Sequence, residues 1–309
     1  MYYVIINPAS RSGKGLHIWK EQVEPMLHKE NVTYRSYFSR EAGDVANIAR
    51  EICNQTEESP IHLIILGGDG TVNEALQGIE DTSRIVLGYI PTGSSNDFAR
   101  DLDIPQDPLA ALDIILHKGT KHLMDLGVVH FPDGNKRKFA VSCGIGFDAA
   151  VCEEAFHSKM KKILNKIGLG KLTYLGIALQ QVFAAPLPAC TISFSNGKKV
   201  HLNRLLFAAS MVHRYEGGGF KFCPDADYND GILNMCVVGD VPRLPLLFGP
   251  LPAAFKGNHF KFKGVTPYET DSLHLETSVP LWVHTDGESI CQTTSMDVEC
   301  LKDAIHMIY

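Results

Sequence analysis

The sequence has no hydrophobic run long enough to cross a bilayer. Its longest apolar stretch, Leu244–Phe255, has twelve residues with three prolines inside it, whereas a spanning helix needs about 20. The first residues, Tyr2–Ile6, look like a strand and lack the basic and then apolar regions of a signal peptide. Tyr2 also stands where N-myristoylation requires glycine. These absences predict a soluble, cytoplasmic protein.

Paired cysteine and histidine motifs are also absent. The eight cysteines are scattered without a CxxC pair, so we expect reduced, mostly buried thiols and no zinc or redox centre. None of the thirteen histidines has the spacing of an HExxH motif. The histidines therefore give no indication of a metal site.

Positive charge is scarce overall, and its distribution is uneven. The net charge of −6 argues against nucleic acid as a partner, because phosphate backbones are bound by basic surfaces. From Ala155 to Tyr215, however, there is no Asp or Glu. Five lysines there alternate with apolar residues: Lys159, Lys161, Lys162, Lys166 and Lys171. This mixture predicts a helix that docks on an anionic membrane surface; a solvated helix resting on its own domain is the alternative.

What the sequence does contain indicates two domains. With 309 residues, 45% of them apolar, the chain is about twice the usual domain size. Over the first ~125 residues, apolar β-branched runs alternate with helical patterns, which is typical of βαβ units with a parallel sheet. The predicted strands are Tyr3–Asn7, Val32–Phe38, Ile61–Leu66 and Ile85–Ile90, and the predicted helices begin near Leu16, Asp44, Val72 and Asn96.

After Leu126 the pattern changes to short alternating strands separated by turn residues, which predicts an antiparallel second domain, a β-sandwich. A helical insertion near Ala149–Val182 interrupts it. The predicted strands are Val128–Phe131, Lys138–Ser142, Cys190–Ser195, Leu205–Ser210, Ile232–Val238, Ser272–Glu276 and Leu281–His284.

Three loops follow the predicted parallel strands, at 7–15, 67–71 and 91–97, and all are rich in Gly and small hydroxyl residues. Ligands of such sheets bind outside the carboxyl ends of the strands, so one site lined by all three loops is expected.

The second of these loops, Gly67-Gly68-Asp69-Gly70-Thr71, joins a strand to a helix. A glycine-rich turn at a helix N-terminus offers backbone N–H groups to phosphate, although a purely structural turn is the alternative. An acid beside a phosphate cradle requires Mg²⁺ or a hydrogen bond to offset repulsion, and Asp69 is such an acid. Thr71 and Glu74 have the spacing of a capping box. The segment is neither a Walker A loop nor a Rossmann fingerprint.

The third loop offers Gly93, Ser94, Ser95 and Asn96 as donors to phosphate or ribose, and Asp97 as a second acid. Alternatively, Asn96 or Asp97 only caps the following helix. In the first loop, Ser10, Ser12, Gly13 and Lys14 could hold phosphate or form a plain surface turn.

Six motifs follow one another along the chain: Asn7-Pro8, Gly67–Thr71, Pro91-x-Gly-x-x-Asn96-Asp97-Phe98-Ala99-Arg100, Gly144-x-Gly146-Phe147-Asp148, Asp227-x-x-Asp230-Gly231 and Asp286-Gly287-Glu288. They occur in the order typical of the diacylglycerol kinase catalytic-domain family, and the chain resembles its soluble bacterial lipid-kinase branch, related to sphingosine kinases and NAD kinases. The resemblance covers essentially the whole chain. One departure is Ser94-Ser95, which keeps a hydroxyl where the family more often has Thr followed by a small residue.

The resemblance implies an α/β fold with two domains. Residues 1–126, joined by 291–309, would form a Rossmann-like three-layer nucleotide-binding domain, and 127–290 a C-terminal antiparallel β-sandwich for the lipid substrate. ATP would bind between them, contacted by the family's loop residues: Asn7, Ser10, Gly67, Gly68, Asp69, Gly70, Thr71, Gly93, Ser94 and Asn96.

Roles for the acidic residues also follow from the resemblance. Asp69, Asp97 and Asp125 would position a catalytic Mg²⁺, with a strand-end turn as the alternative for Asp125. Asp286 would accept the proton of the substrate hydroxyl, assisted by Glu288, although Asp-Gly is also a common hairpin turn. Asp227, Asp230 and the Ile232 carbonyl would hold a structural Mg²⁺, for which a plain turn is the alternative.

The predicted function is therefore ATP-dependent phosphorylation of a lipid hydroxyl, with diacylglycerol as the favoured substrate. Phosphatidylglycerol, a sphingoid base and a polyprenol stay open, as do a soluble acceptor, as in NAD kinase, and a non-catalytic nucleotide-binding regulator. A homodimer is an open alternative to a monomer.

Overall fold

The computed structural model describes residues 1–157 and 180–309. The chain forms two compact units, Met1–Leu126 with Lys302–Tyr309 (unit 1) and Gly127–Leu301 (unit 2). The predicted α/β class with an antiparallel second domain is confirmed. The segment that returns to unit 1 begins at Lys302, whereas the resemblance implied a start at residue 291.

Unit 1 contains a parallel sheet. Its strands are β1 (Tyr2–Ile6), β2 (Tyr34–Phe38), β3 (Ile61–Gly67), β4 (Ile85–Pro91) and the end of β14 (Glu288–Ile308). They are ordered β2-β1-β3-β4-β14, and His306–Ile308 run parallel to Val86–Gly88. Every residue of β4 is buried, and six of the seven residues of β3 are. Two-sided burial explains why β3 reads as a continuous apolar run.

Helices flank this sheet. They are α1 (Ser10–Gly13), α2 (Gly15–Ile18), a π turn (Trp19–Val23), α3 (Glu24–Lys29), α4 (Asp44–Gln55), α5 (Asp69–Gly78), a 3-10 turn (Thr82–Arg84), α6 (Asp97–Asp101), α7 (Pro108–Asp113) and a second π turn (Ile114–Lys118). Helix α4 buries Val45, Ile48, Ala49 and Ile52. This spacing of three and four residues places one apolar stripe toward the core.

The predicted capping box is wrong. Helix α5 begins at Asp69 rather than near Val72, so Thr71 lies inside the helix at its third position. The Thr71 hydroxyl accepts the Gly68 N–H at 3.3 Å. The Glu74 carboxylate instead accepts the Val45 N–H of α4 at 3.1 Å, and so joins two helices instead of capping its own.

Unit 2 is antiparallel. Its strands are β5 (Lys121–His130, which begins in unit 1), β6 (Lys136–Phe139), β7 (Ser142–Gly146), β8 (Cys190–Phe194), β9 (Lys199–Leu202), β10 (Leu205–Met211), β11 (Leu233–Gly239), β12 (Val265–Thr270), β13 (Ser272–Thr285) and the first part of β14. Neighbours are ordered β12-β11-β10-β7-β13-β14, and β8 joins β13 and β9. Strand β13 pairs with β8 in its first half and with β7 in its second half. Its core side chains therefore contact those of several strands.

The helices of unit 2 are α8 (Phe147–His157), α9 (Arg243–Phe248) and α10 (Pro250–Ala254), followed by a 3-10 turn (His259–Lys261); residues 180–184 are also helical. The five lysines of the predicted membrane-docking helix, 159–171, lie outside the described residues. No helix within 1–157 or 180–309 has the length and apolarity needed to cross a membrane.

Candidate active site

Side chains join the three loops that follow the parallel strands of unit 1. The Asn7 amide donates to the Thr71 hydroxyl at 3.1 Å, and the hydroxyls of Ser10 and Thr92 are 2.8 Å apart. The Thr92 N–H donates to the Gly67 carbonyl at 2.6 Å. The predicted convergence of these loops at one end of the sheet is therefore seen in the structure.

Two glycines let the second and third loops touch through their backbones. A Cβ on Gly93 would lie 2.7 Å from Gly68 Cα and 2.5 Å from the Asn96 side-chain oxygen. Both distances are shorter than any ordinary contact, so a side chain at Gly93 would push the loops apart. Glycine allows this close backbone approach.

The Asp69 side chain connects α5 with α6 and β4 through hydrogen bonds. It is the first residue of α5, and its Oδ2 accepts the N–H of Asp97, the first residue of α6, at 2.9 Å. Its Oδ1 accepts from the Tyr89 hydroxyl at 3.3 Å. Tyr89 is buried in β4. Burial, and next the negative charge of Asp69, raise the pKa of Tyr89 well above its ordinary value, which keeps its hydroxyl protonated as a donor.

Asn96 does not cap α6 with its side chain. It adopts a left-handed backbone, with φ 49°, and its amide Nδ2 donates to the Gly93 carbonyl at 3.2 Å and to Gln106 Oε1 at 2.7 Å. Its Oδ1 accepts from the Tyr89 hydroxyl at 3.4 Å. The Asn96 side chain thus fixes the loop of Gly93, and the capping alternative is wrong for this residue.

The other acids predicted in unit 1 are also buried. Asp97 forms an ion pair with Arg100 one turn later in α6. Asp125 is buried in β5 and accepts the Asp303 N–H at 2.7 Å. Ser94 and Ser95 are exposed at the tip of the third loop, where they meet solvent.

In unit 2, Asp286 lies in the turn between β13 and β14. Asp286 and Gly287 have φ values of 51° and 82°, as in hairpin turns that require two left-handed residues. The carboxylate accepts three backbone N–H groups: Oδ1 those of Val141 at 2.8 Å and Ser142 at 2.9 Å, and Oδ2 that of Ala140 at 2.9 Å. These bonds take three of the about four acceptor positions of a carboxylate and fix its orientation. Asp286 is thus a turn residue whose carboxylate is held in one orientation.

His284 of β13, two positions before Asp286, forms a cluster with Asp148 of α8 and with Glu216. His284 and Glu216 are buried, and Asp148 is half-buried. His284 Nε2 is 3.3 Å from Asp148 Oδ2 and 3.1 Å from Glu216 Oε1. Burial opposes a charged His284, but the neighbouring carboxylates outweigh burial and raise the pKa of His284 well above its ordinary value. No donor among the described residues reaches Oε2 of Glu216. The imidazole of His284 is therefore the main group that offsets the negative charge of this carboxylate.

Gly144 makes room for this cluster. It lies opposite His284 in the β7–β13 pairing, and a Cβ there would be 2.0 Å from Asp148 Oδ2 and 2.3 Å from His284 Nε2. Gly146 has φ +108°, a conformation that favours glycine. The packing of His284 therefore explains why the Gly144-x-Gly146-Phe147-Asp148 motif begins with glycine.

The three residues also have the composition of a metal site, with one ligand atom of each within 4.8 Å of the others. In the structure, His284 Nε2 faces Asp148 Oδ2 and Glu216 Oε1 at hydrogen-bond distances, and Nδ1 is 3.2 Å from the Gly287 nitrogen. An Nε2–H that donates to these carboxylates leaves no lone pair on Nε2 for a metal.

We expect His284→Gln to destabilise the fold by about 3–5 kcal/mol near pH 6, because the buried Glu216 and the half-buried Asp148 lose their positive partner. The folded pKa is raised, so this stabilisation is fully present below about pH 6.5, the ordinary value, and is lost as pH rises through the folded pKa. Denaturant unfolding between pH 6 and 9 should therefore show a smaller difference between variant and wild type at high pH. The exposed His117→Gln serves as the control; equal stability of all three proteins at pH 6 would contradict the ion pair.

The Asp227–Ile232 segment forms an exposed turn. Asp227 accepts the Asn229 N–H at 3.3 Å, and Asp230 accepts the Ile232 N–H at 2.8 Å. Gly231 has φ 81°, and Tyr228 between the acids stacks on buried His213, with ring centroids 5.3 Å apart. The turn geometry is compatible with both of the alternatives stated for these acids.

Several residues that organise the site are not distinguished by the sequence. Tyr89 and His284 are single residues of ordinary strands, and Glu216 and Gln106 lie in no motif. Thr92 stands inside the third loop but resembles any turn threonine. Tertiary contacts bring Tyr89 to Asp69 and Asn96 in unit 1, and Glu216 to His284 beside the Asp286 turn in unit 2.

Comparisons with known proteins agree with this architecture. Residues 1–129 match the family described as "Diacylglycerol kinase catalytic domain", and 141–309 match the "YegS C-terminal NAD kinase beta sandwich-like domain". A diacylglycerol kinase of Mycobacterium tuberculosis is 31% identical over 231 residues, which cover 74% of this chain and 71% of that protein. A diacylglycerol kinase of Staphylococcus aureus is 28% identical over 289 residues, covering 92% of this chain and 85% of that protein.

A crystal structure of a diacylglycerol kinase from Bacillus anthracis has a similar fold. It aligns with a TM-score of 0.70 at 22% sequence identity, and the alignment covers all of this chain and 96% of the other. At this identity the likeness concerns the fold alone.

Proposed function

This chain belongs to the diacylglycerol kinase family of lipid kinases, and from that premise we propose that it transfers the γ-phosphate of ATP to a lipid hydroxyl, converting diacylglycerol to phosphatidic acid. The observation that carries the proposal is the junction of the three loops of unit 1 around Asp69. Phosphoryl transfer depends mainly on positioning and electrostatics, and this junction holds glycine-rich backbone, small hydroxyls and acids in one place.

The ATP phosphates would bind at the N-terminus of α5. Gly68 and Gly93 keep side chains away from the approach, and the ten-residue helix contributes the positive end of its dipole. The remaining contacts would come from the polar loop residues Asn7, Ser10, Thr71, Ser94 and Asn96.

Asp69, Asp97 and Asp125 fit a magnesium site in their chemistry, because Mg²⁺ prefers carboxylate oxygens and retains several waters. Asp69 and Asp97 are adjacent through the 2.9 Å hydrogen bond. When bound, the ion would neutralise charge on the phosphates. Tyr89 of β4, which donates to Asp69, and Arg100 of α6, which pairs with Asp97, would orient the carboxylates.

Asp286 would orient the lipid hydroxyl and accept its proton as the oxygen attacks phosphorus. Its three N–H donors hold the carboxylate in one orientation and stabilise its ionised form. Glu288, the first residue of β14, pairs with Thr285 across the turn and would support the position of Asp286.

A lipid acceptor is favoured over a soluble one by an apolar pocket in unit 2. The side chains that line it are mostly apolar and come from several elements of unit 2, together with His259 of the 3-10 turn. They include Phe147 at the start of α8, Leu206 and Phe207 of β10, and Leu246, Leu247, Leu251 and Ala254 of α9 and α10. Acyl chains require such a lining, whereas a nucleotide or sugar acceptor would leave it without a polar contact.

The test is ATP consumption by the purified protein with a panel of acceptors, with products identified by mass spectrometry using labelled ATP. The panel contains diacylglycerol, phosphatidylglycerol, a sphingoid base, a polyprenol and NAD. We expect labelled phosphatidic acid from diacylglycerol. If only another lipid is phosphorylated, that lipid is the substrate and not diacylglycerol. If only NAD is phosphorylated, the acceptor is not a lipid. No turnover with any acceptor would overturn the proposal.

We further propose that Asp227, Asp230 and the Ile232 carbonyl bind a structural Mg²⁺. Replacing both acids by alanine should erase the rise in melting temperature that magnesium produces in the wild type, because ligand binding to the folded state stabilises it. The exposed pair Asp133→Ala and Asp271→Ala is the matched control. An unchanged melting response in the Asp227→Ala/Asp230→Ala variant would leave only the turn.

A further inference from the structure

We propose that α9, α10 and the following 3-10 turn form a membrane-docking surface that inserts into anionic lipid bilayers. The term docking surface here means residues 243–263 together with Phe183. This inference deepens the proposed function, on which it rests for the need to reach a lipid substrate. It assigns membrane contact to residues in the second half of unit 2 and makes no use of the lysines at 159–171.

Large apolar side chains are exposed here to an unusual extent. Phe248 is 80% exposed, Leu244 58%, Phe255 55% and Phe262 40%. Ten large apolar side chains are exposed among the described residues, and these four lie between positions 244 and 262. Single exposed apolar residues are ordinary, but a contiguous group marks an interaction surface.

Contacts within unit 2 show that these side chains share one surface. The Arg243 guanidinium donates to the carbonyls of Phe183, itself 54% exposed, and of Ala185. Gly249 lies against the Phe262 ring, because a Cβ there would be 2.8 Å from the ring. On the other side, Phe255 stacks on Phe220 with centroids 4.0 Å apart. Phe255 and Phe262 are thus held in place by their neighbours.

The charges of this segment match an anionic membrane. From Val241 to Pro267 there is no Asp or Glu, while Arg243, Lys256, Lys261 and Lys263 are present, in a chain whose net charge is −6. Phenylalanine and leucine between basic residues suit the headgroup region, where the rings enter the acyl boundary and the lysines reach lipid phosphates. This combination favours a bilayer over an uncharged protein groove.

The inner side of the same helices lines the apolar pocket. Leu246, Leu247, Pro250, Leu251 and Ala254 contribute to the pocket, whereas Leu244 and Phe248 on the same segment are exposed. One short helical pair therefore carries the exposed surface and a wall of the pocket. Docking through it would bring an acyl chain from the bilayer to the pocket through apolar surroundings.

The first experiment measures sedimentation of the full chain with vesicles of phosphatidylcholine containing 30% phosphatidylglycerol. We expect Leu244→Glu/Phe248→Glu to bind at least tenfold more weakly than the wild type, and wild-type binding to weaken at high salt or on pure phosphatidylcholine. Phe38→Glu, which adds a charge at an exposed apolar residue of unit 1, is the control and should bind as the wild type does. Equal binding by all variants would overturn the proposal.

A second readout does not depend on a charged substitution. Tryptophan at position 248 (Phe248→Trp) should shift its emission to the blue when anionic vesicles are added, because the indole enters a less polar environment. Tryptophan at position 38 (Phe38→Trp) should not shift. The absence of a shift at position 248 would overturn the insertion.

Activity distinguishes a failure of this inference from a failure of the proposed function. Leu244→Glu/Phe248→Glu should keep wild-type turnover of a short-chain diacylglycerol dispersed in detergent, and lose at least tenfold on vesicle-borne diacylglycerol. Kinase activity with unchanged vesicle binding would reject only the docking surface; weakened vesicle binding in a protein without kinase activity would reject only the function. The wild type could instead be a dimer that Leu244→Glu/Phe248→Glu separates into monomers. If vesicle binding is then unchanged, the surface binds a second copy of the chain and the proposal fails.

Discussion

Asp286→Asn is expected to lower kcat by at least about a hundredfold, since a positioned proton acceptor contributes 10²–10⁴-fold. The structure adds a second consequence. Asp286 Oδ1 accepts two N–H groups and Oδ2 accepts one, so the amide NH₂ of asparagine must face at least one backbone N–H. We therefore expect a loss of about 1–3 kcal/mol of stability as well.

The two effects are separated by measuring ATP binding and unfolding beside turnover. ATP affinity should stay near wild type, because the proposed phosphate contacts lie in the loops of unit 1. The control is Asp133→Asn, which changes an exposed turn aspartate of unit 2 that also accepts a backbone N–H; its turnover should not change. If Asp286→Asn keeps more than a tenth of wild-type kcat, a loss under about 1.4 kcal/mol, Asp286 is not the base.

The second large effect is expected for Asp69→Asn, with kcat/KM for MgATP lower by about a hundredfold or more, equivalent to about 2.7 kcal/mol. The substitution removes the charge that would attract the metal. It also places an amide between two donors, the Asp97 N–H and the Tyr89 hydroxyl, and an amide oxygen replaces only one of the two carboxylate oxygens.

Tyr89→Phe is the matched control for this prediction. It removes the hydroxyl that donates to Asp69 and Asn96 but leaves the Asp69 charge in place. We expect lower thermal stability, because Asp69 and Asn96 lose a buried donor, and a fall in kcat/KM of less than tenfold. If Tyr89→Phe costs as much activity as Asp69→Asn, the role of Asp69 is to hold the loops together and not to bind metal.

Much of unit 1 is readable from the sequence because its signals are local. The β-branched run before Gly67 predicts β3, and the spacing of Val45, Ile48 and Ile52 predicts α4. The shared carboxyl-end position of three polar loops follows from the parallel sheet alone. The start of α5 is not readable in the same way, because both Gly68 and Thr71 are acceptable caps in sequence, and the contact of Thr71 with Gly68 decides between them.

The Asp286 turn shows a second limit of prediction from the sequence. Asp-Gly between two apolar runs predicts a hairpin, and the structure contains one. The three N–H groups that orient the carboxylate belong to residues 140–142, about 145 positions earlier in the chain. A turn aspartate and an oriented catalytic carboxylate therefore have the same local sequence.

The sequence by itself determined strands β1 to β4, the antiparallel type of unit 2 and the loops that meet at one end of the parallel sheet, since each depends on periodicity or on residues near one another in the chain. It did not predict strands β9, β12 and β14 or helices α9 and α10. Only the tertiary structure decided that Tyr89 joins Asp69 to Asn96, that Gly144 leaves room for the His284 ion pair, and that Leu244 and Phe248 are exposed while Leu246 faces a pocket. These contacts depend on strand pairing and on the rotation of short helices, which are set by the energy of the whole core.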